Sequence, residues 1–389
     1  MKVLHLYANH KWTGPADPAL LLARALLGPV VAGGGRLDWA VAGFVHEGLD
    51  HAVRARATEL GLPQREGLAL RRHFHLRSQL ADARRLAHWL DDGDYDLLHC
   101  HQKGDHAVAS LALSMAGRKV PVVRSLWEER IPLALPRQAL AFGRTAAVLT
   151  PFADQVPLLE ARYGLGRGRV LVQEPLLEQA PAGGTSPDVA RAALLEELGL
   201  DDGALLLGIT ARIQRRRRWE LLWDLLAALA PRFPALALVV LGRPDEGVFD
   251  ELCAGPLRAR GLQDRVRFLG YRRGDAYRDV LRALDLFVFL VPGSDPTCRA
   301  LREAMAAGCA VVTTDLGRLP ELVADGETGL VREPAPEPLA EAAGALLADP
   351  DARRRLGAAA AAAARDRWGG AAQVAQTMAL YGALCGGRS

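Results

Sequence analysis

Short, uninterrupted apolar runs alternate with stretches of helical period along almost the whole chain, and nothing else in the sequence restricts its fold as tightly. "KVLHLY", "LDWAVAGF", "YDLLHCH", "VPVVRSL", "AAVLTP" and "VLVQEP" read as strands buried on both faces. "ADPALLLARALLG" and "HAVASLALSMAG" between them read as helices. Strands separated by helices of this length require parallel crossovers, so the sheet they form is parallel and covered on both sides. "EQAPAGGTSPD", residues 178–188, interrupts the pattern with Pro, Gly and Ser and reads as an interdomain linker. The alternation then resumes with "ALLLGITAR", "ALALVVLG", "VRFLGY", "LDLFVFL", "CAVVTTD" and "TGLVRE", followed by a helical tail with an alanine run. The expectation is two doubly wound α/β domains with a cleft between them, 1–175 and 191–369, joined by a linker over 176–190. Sheets of this kind bind ligands at the carboxyl ends of their strands.

A chain of 389 residues exceeds the usual size of one core, in agreement with two domains. No segment approaches the ~20 apolar residues of a membrane-spanning helix. The start, "MKVLHLYANH", suits a first strand better than a secretion signal. Five scattered cysteines without metal spacing point to a reduced, cytoplasmic protein. All ten histidines and all the lysines lie before residue 120, so a cation needed in the second half must be an arginine. The first half is basic and the second slightly acidic, and no basic stripe runs through the second half. Nucleic acid is therefore not an expected partner.

Two stretches of the second half carry chemistry. In "PGSDPTCRALREAMAAGC", residues 292–309, Asp295 is a good N-cap and Pro296 suits the first helical position, so a helix here needs no function to explain it. The backbone N–H groups of Thr297, Cys298 and Arg299 would also make an anion site at a helix start. Glu303 lies eight residues beyond Asp295, ~12 Å along a helix. Carboxylates so spaced cannot share a proton or chelate one metal, but they can touch two ends of an extended ligand. In "GITARIQRRRRWELL", residues 208–222, a strand ends near Thr210 and arginines precede a helix starting around Trp219. The run is either a solvated basic loop or a pair of cations for a diphosphate.

Residues 286–331, "LFVFLVPGSDPTCRALREAMAAGCAVVTTDLGRLPELVADGETGLV", resemble the donor-site signature of retaining glycosyltransferases of the GT-B fold, close to family 4 (glycosyl transferases group 1). The likeness extends over nearly the whole chain. It implies that Asp295 and Glu303 stand for a Glu-x7-Glu pair, the first meeting the donor sugar and the second the ribose. It aligns Arg212 and Arg217 with the family's cation pair on the diphosphate. Gly14 falls in a glycine loop near the donor, and Trp127 falls where a histidine is common. Gly242 and Tyr271, closing two strand stretches, join Thr297, Cys298 and Arg299 as donor contacts. The tail 370–389 would cross back to complete the first domain.

The expectation that follows is metal-independent, cofactor-free transfer of a sugar from a nucleoside diphosphate donor to a glycan, lipid-linked or small-molecule acceptor, with retention. A catalytically impaired nucleotide-sugar-binding relative is the alternative. An epimerase would need histidines in the second half, which has none. His101, Lys103 and Trp127 are the candidate acceptor-side residues, from the loops 101–106 and 125–128. His99, His101 and His106 resemble a metal cluster only weakly, since no acid completes a shell. "DDGDYD", residues 91–96, sits at the amino edge of the sheet and reads as solvated. "RRHFHLR", residues 71–77, reads as a surface loop able to meet an anionic acceptor or a membrane face, which would make the protein peripheral.

Overall fold

The computed structural model describes residues 1–11, 14–43, 51–178, 184–293, 295 and 297–386. It divides into two compact units, Met1–Glu178 with Trp368–Ser389, and Gln179–Arg367. The first contains β1 (Lys2–Tyr7), β2 (Arg36–Val41), β3 (Leu97–Cys100), β4 (Val122–Ser125), β5 (Ala147–Thr150) and β6 (Val170–Val172). All pair in parallel in the order β2-β1-β3-β4-β5-β6. Side chains alternate across this sheet, as the two-residue strand period demands. Leu4 and Leu6 join the core formed with helices Leu76–Asp91 and Lys103–Met115. Val3 and Tyr7 face the other way, into the core formed with helices Ala16–Ala32 and Ala371–Gly386. The C-terminal helix thus completes the first unit.

The second unit contains β7 (Leu205–Thr210), β8 (Leu236–Leu241), β9 (Val266–Gly270), β10 (Leu286–Phe289), β11 (Val311–Thr314) and β12 (Leu330–Arg332). They too are parallel, in the order β12-β11-β10-β7-β8-β9. Leu207 and Ile209 pack on Leu222, Leu225 and Leu226 of helix Trp219–Leu229 and on Leu339 of helix Pro336–Ala348. The alanine run is packed helix within Pro350–Trp368, with Ala360 and Ala364 buried.

In each sheet the first strand lies inside, so the strand order reverses beside it: between β1 and β3 in one unit, between β7 and β10 in the other. These reversals open crevices at the strands' carboxyl ends. The expected linker, 176–190, needs correction at both ends. Leu176 and Leu177 are buried, and the Leu177 N–H donates to the Trp368 carbonyl at 2.9 Å. Helix Pro187–Leu198 already begins at 187, because Ser186 caps it by accepting from the Val189 N–H and Pro187 suits its first turn.

Candidate functional site

The reversal between β7 and β10 gathers the second unit's chemistry. Beyond Thr210 the chain passes through a single tight turn, Arg215–Arg217, and Arg218 adopts the left-handed conformation (φ 49°) before helix Trp219–Leu229. That turn aims Arg217 across to the segment leaving β10. Its Nη1 donates to the Val291 carbonyl at 2.7 Å, and its guanidinium carbon lies 5.6 Å from the centre of the Phe289 ring. Gly293 makes this possible, because a Cβ there would collide with the guanidinium. Its only signal in the sequence was a glycine beside the acid motif, and the need for it appears once Arg217 is placed. The Arg217 Nε is buried without a hydrogen-bond partner among the described residues. Burial lowers the guanidinium's pKa from its ordinary value, while the Cys298 and Asp295 side chains act the other way.

Asp295 is placed differently from the expectation. The helix starts at Arg299, not beside Asp295, and its N-cap is Cys298 in the left-handed conformation (φ 49°, ψ 45°). Asp295 caps this turn from outside. Oδ1 accepts from the Thr297 N–H at 2.9 Å and the Thr297 hydroxyl at 2.7 Å, and Oδ2 accepts from the Arg299 N–H at 3.0 Å. The Cys298 N–H donates to the Asp295 carbonyl at 3.2 Å. The N–H groups of Thr297, Cys298 and Arg299, expected as an anion site, are therefore already engaged by Asp295. A carboxylate at a helix start is the natural occupant of such donors. Pro296 lies outside the described residues. The buried Arg302 fixes the same turn, donating from Nε to the Thr297 carbonyl at 2.9 Å and from Nη2 to its hydroxyl at 3.0 Å. Burial pushes the Cys298 thiol up to about 12, which leaves it protonated and unsuited to act as a nucleophile.

Glu303 projects from the next turns. Arg299 Nε donates to its Oε1 at 2.7 Å, and the Tyr277 hydroxyl, near enough to feel the Glu303 charge, donates to the Thr210 hydroxyl at 3.2 Å. Tyr277, missed in the sequence, therefore stands between the end of β7 and the acid motif. Burial, helped by the Glu303 charge, raises its pKa well above the ordinary phenol value. Arg212 is exposed and held by Asp245 at 2.8 Å, so it does not share Arg217's surroundings. Gly242 (φ 152°) sits hard against the Ala211 carbonyl, where a Cβ would collide; it allows the loops after β7 and β8 to touch. Tyr271 is exposed, with the Arg273 guanidinium 4.9 Å from its ring centre.

In the first unit the reversal point is filled by polar groups that satisfy one another. Asp105 accepts from the N–H groups of Ala8 at 2.9 Å, His101 at 3.2 Å and Gln102 at 3.0 Å, joining the ends of β1 and β3. Burial pushes its carboxyl up to about 7 against the pull of Arg124 and those donors. His101, expected on the acceptor side, is buried and stacks on His99. It also hydrogen-bonds through Nε2 to His5 Nδ1 at 3.0 Å. The Tyr381 hydroxyl lies 2.5 Å from His99 Nδ1 and 3.3 Å from His5 Nε2, and Ser125 Oγ lies 2.7 Å from His99 Nε2. His5, not His106, is thus the third histidine of the cluster, because β1 and β3 pair with His5 opposite His99. His106 instead meets the Thr145 hydroxyl at 2.7 Å. The three rings could offer a metal nitrogens within 4.8 Å of one another, but hydrogen bonds occupy all of these nitrogens except His101 Nδ1.

Trp127 is drawn into the first unit's core beside Tyr7, Trp39 and Tyr381, a large apolar ring being better buried than left at a strand end. Lys103 is half exposed, 3.9 Å from Glu128. Gly14 is exposed, in a turn just before helix Ala16–Ala32. The acids of 91–96 are largely engaged in structural contacts, Asp94 with Arg65 at 2.9 Å and Asp96 with Arg118 at 2.6 Å. A further pocket, lined by Met1, Asp96, Arg118 and Met378, opens at the amino ends of these strands, away from the usual ligand end.

Residues 191–363 match the family "Glycosyl transferases group 1". The chain is 28% identical over 257 residues to the phosphatidyl-myo-inositol mannosyltransferase of Mycolicibacterium smegmatis, covering 65% of this chain and 62% of that protein. It is 31% identical over 310 residues to the D-inositol 3-phosphate glycosyltransferase of Stackebrandtia nassauensis, covering 76% of this chain and 64% of that one. Among solved structures, Anabaena Alr3699/HepE in complex with UDP superposes with a TM-score of 0.75 at 20% identity, over 97% of this chain and 100% of that one.

Proposed function

We propose that this chain, which has the GT-B fold and over residues 191–363 matches the glycosyl transferases of group 1, moves a sugar from a nucleoside diphosphate donor to an acceptor hydroxyl with retention at the anomeric carbon. The observation that carries this reading is Arg217: a buried Nε, unpartnered among the described residues, on a permanent cation at the strand ends where β7 and β10 diverge. A diphosphate offers the charge-assisted acceptor that this group lacks. Glu303, oriented by Arg299, would take the ribose hydroxyls, and Asp295 holds the turn that the donor sugar would approach. Arg212 would add a second cation by exchanging Asp245 for phosphate. Thr297, Cys298 and Arg299 would then shape the turn rather than bind the anion through their N–H groups.

The acceptor hydroxyl would attack the anomeric carbon on the face from which the diphosphate departs. Its proton would pass to a leaving phosphate oxygen while the glycosidic bond to phosphate breaks. Cationic side chains stabilising the leaving group make a divalent metal unnecessary. Turnover should therefore be unchanged in EDTA, and loss of activity restored by magnesium or manganese would overturn this mechanism. The buried cysteines Cys100, Cys253, Cys298 and Cys309 are free thiols, which supports a cytoplasmic setting. A calorimetric screen of UDP-, GDP- and ADP-sugars, followed by donor hydrolysis, tests the reading directly. UDP is the first choice, since the Anabaena relative was solved with it.

One observation favours a second reading, a nucleotide-sugar-binding protein of impaired catalysis: both carboxylate oxygens of Asp295 are engaged in capping. Tight donor binding without hydrolysis or transfer would select it.

A further inference from the structure

The basic stretch "RRHFHLR" is not used by the donor site, and the structure places it beside a second unusual segment. Phe74 and Leu76 are well exposed, and so are Leu133, Leu135 and Leu140. Most strongly exposed large apolar side chains on a protein stand singly; a cluster of them signals an interaction surface. Here one arginine joins the two segments, since the Arg137 guanidinium lies 4.5 Å from the centre of the Phe74 ring. The second segment is not frayed. The Tyr163 hydroxyl donates to the Pro132 carbonyl at 2.5 Å, and Arg162 Nη1 donates to the carbonyls of Ile131 at 3.2 Å and Pro132 at 3.3 Å. Its backbone is pinned while its leucines point outward.

The surrounding charge is cationic. Arg72, Arg77 and Arg130 are exposed and have no carboxylate partner among the described residues. Of the nearby acids, Glu129 is exposed, and Glu128 lies 3.7 Å from Arg124 and 3.9 Å from Lys103. The patch also lies at the ligand end of the sheet. A Cβ on Gly104, at the start of helix Lys103–Met115, would meet both Ala8, just past β1, and the Arg71 carbonyl.

The geometry points to a docking surface for an anionic phospholipid bilayer: apolar side chains that enter the interface, ringed by arginines that meet lipid phosphates. Resting on the transfer reading above, it implies a lipid-anchored acceptor, delivered from the membrane to the ends of β1 and β3.

Sedimentation of the full chain with vesicles of phosphatidylcholine, alone or mixed with phosphatidylglycerol, tests it. Binding should require phosphatidylglycerol. Arg72→Glu with Arg77→Glu and Arg130→Glu should weaken it by about 100-fold or more, at about 1 kcal/mol for each cation lost near the surface. Leu133→Ser with Leu135→Ser should weaken it by about 10-fold, the direction expected when apolar surface leaves the interface. Both variants should keep the parental melting temperature and parental UDP affinity. Failure of the parent to sediment, equal binding to neutral vesicles, or undiminished binding by the variants would overturn the proposal. So would a dimer in velocity sedimentation that the leucine changes dissolve, since a second copy would then be the occupant. None of these results bears on donor binding, whose loss would instead break the transfer reading.

Discussion

The two sheets share a topology but treat polar groups at their reversal points in opposite ways. Between β1 and β3, His5, His99, His101, Asp105 and Tyr381 are buried and bonded to one another, and the one nitrogen of these side chains left over among the described residues, His101 Nδ1, belongs to an imidazole that burial keeps uncharged. Between β7 and β10, the cation Arg217 reaches the segment leaving β10 with its Nε unpartnered among the described residues. A polar group that has met its needs inside the protein is scaffold; one that retains capacity at a strand end is available to a ligand. Titratable residue types alone would have directed attention to the first unit, which holds every histidine. The geometry directs it to the second.

Acid offers the largest test of this contrast. Burial lowers His5 and His106 to about 3, and His99 and His101 well below their ordinary value of 6.5. Each binds fewer protons folded than unfolded, so its stability is present above pH 6.5 and is lost as pH falls toward the folded values. Between pH 6.5 and 5.5 each should cost about 1 kcal/mol, and Asp105, whose raised carboxyl takes up its proton in the folded state over the same interval, offsets about one of the four. The loss should be confined to the first unit, because the second has no histidine. Hydrogen exchange at both pH values, read unit by unit, checks this, and equal loss of protection in both units would break the comparison.

Arg217→Ala comes next. It should weaken nucleoside diphosphate binding by about 1.5–3 kcal/mol, as for a charge-assisted hydrogen bond. Unchanged affinity by calorimetry would return the arginine to the scaffold. The converse change in the first unit is Tyr381→Phe, which leaves His99 Nδ1 and His5 Nε2 without their shared partner. It should destabilise that unit by about 1–3 kcal/mol in denaturant melts, with nucleotide affinity at the parental level.

The smallest effect sharpens the role of Asp295. Asparagine has one acceptor oxygen in place of two, so Asp295→Asn should cost about 0.5–1 kcal/mol of stability through the lost cap. A fall in turnover well beyond that cost would show the carboxylate also meets the donor. Parental turnover would make it a cap alone.

Much of this was legible in the sequence. Continuous apolar runs such as "LALVVL" can be buried only in a sheet covered on both faces, so the two parallel sheets followed from patterning. The ends of β7 and the start of helix Trp219–Leu229 were readable for the same local reasons. The start of the helix at Arg299 was not, because residues between Asp295 and that helix fold into a capped turn that local propensity does not specify. Nor was the fate of Trp127, whose ring goes wherever the largest apolar volume awaits it.

The sequence by itself determined which segments are strands and helices, that they form two parallel sheets, and which residue types were available as cations or bases in each half. Those properties depend on short-range periodicity and composition. Tertiary structure alone decided which polar groups meet: that His5 pairs with His101, that Asp245 holds Arg212, and that Gly293 leaves room for Arg217. Whether a side chain retains capacity for a ligand depends on neighbours up to hundreds of residues away, as Tyr381 beside His99 illustrates. That property belongs to the folded arrangement, because burial and partnership are created together when the strands close against one another.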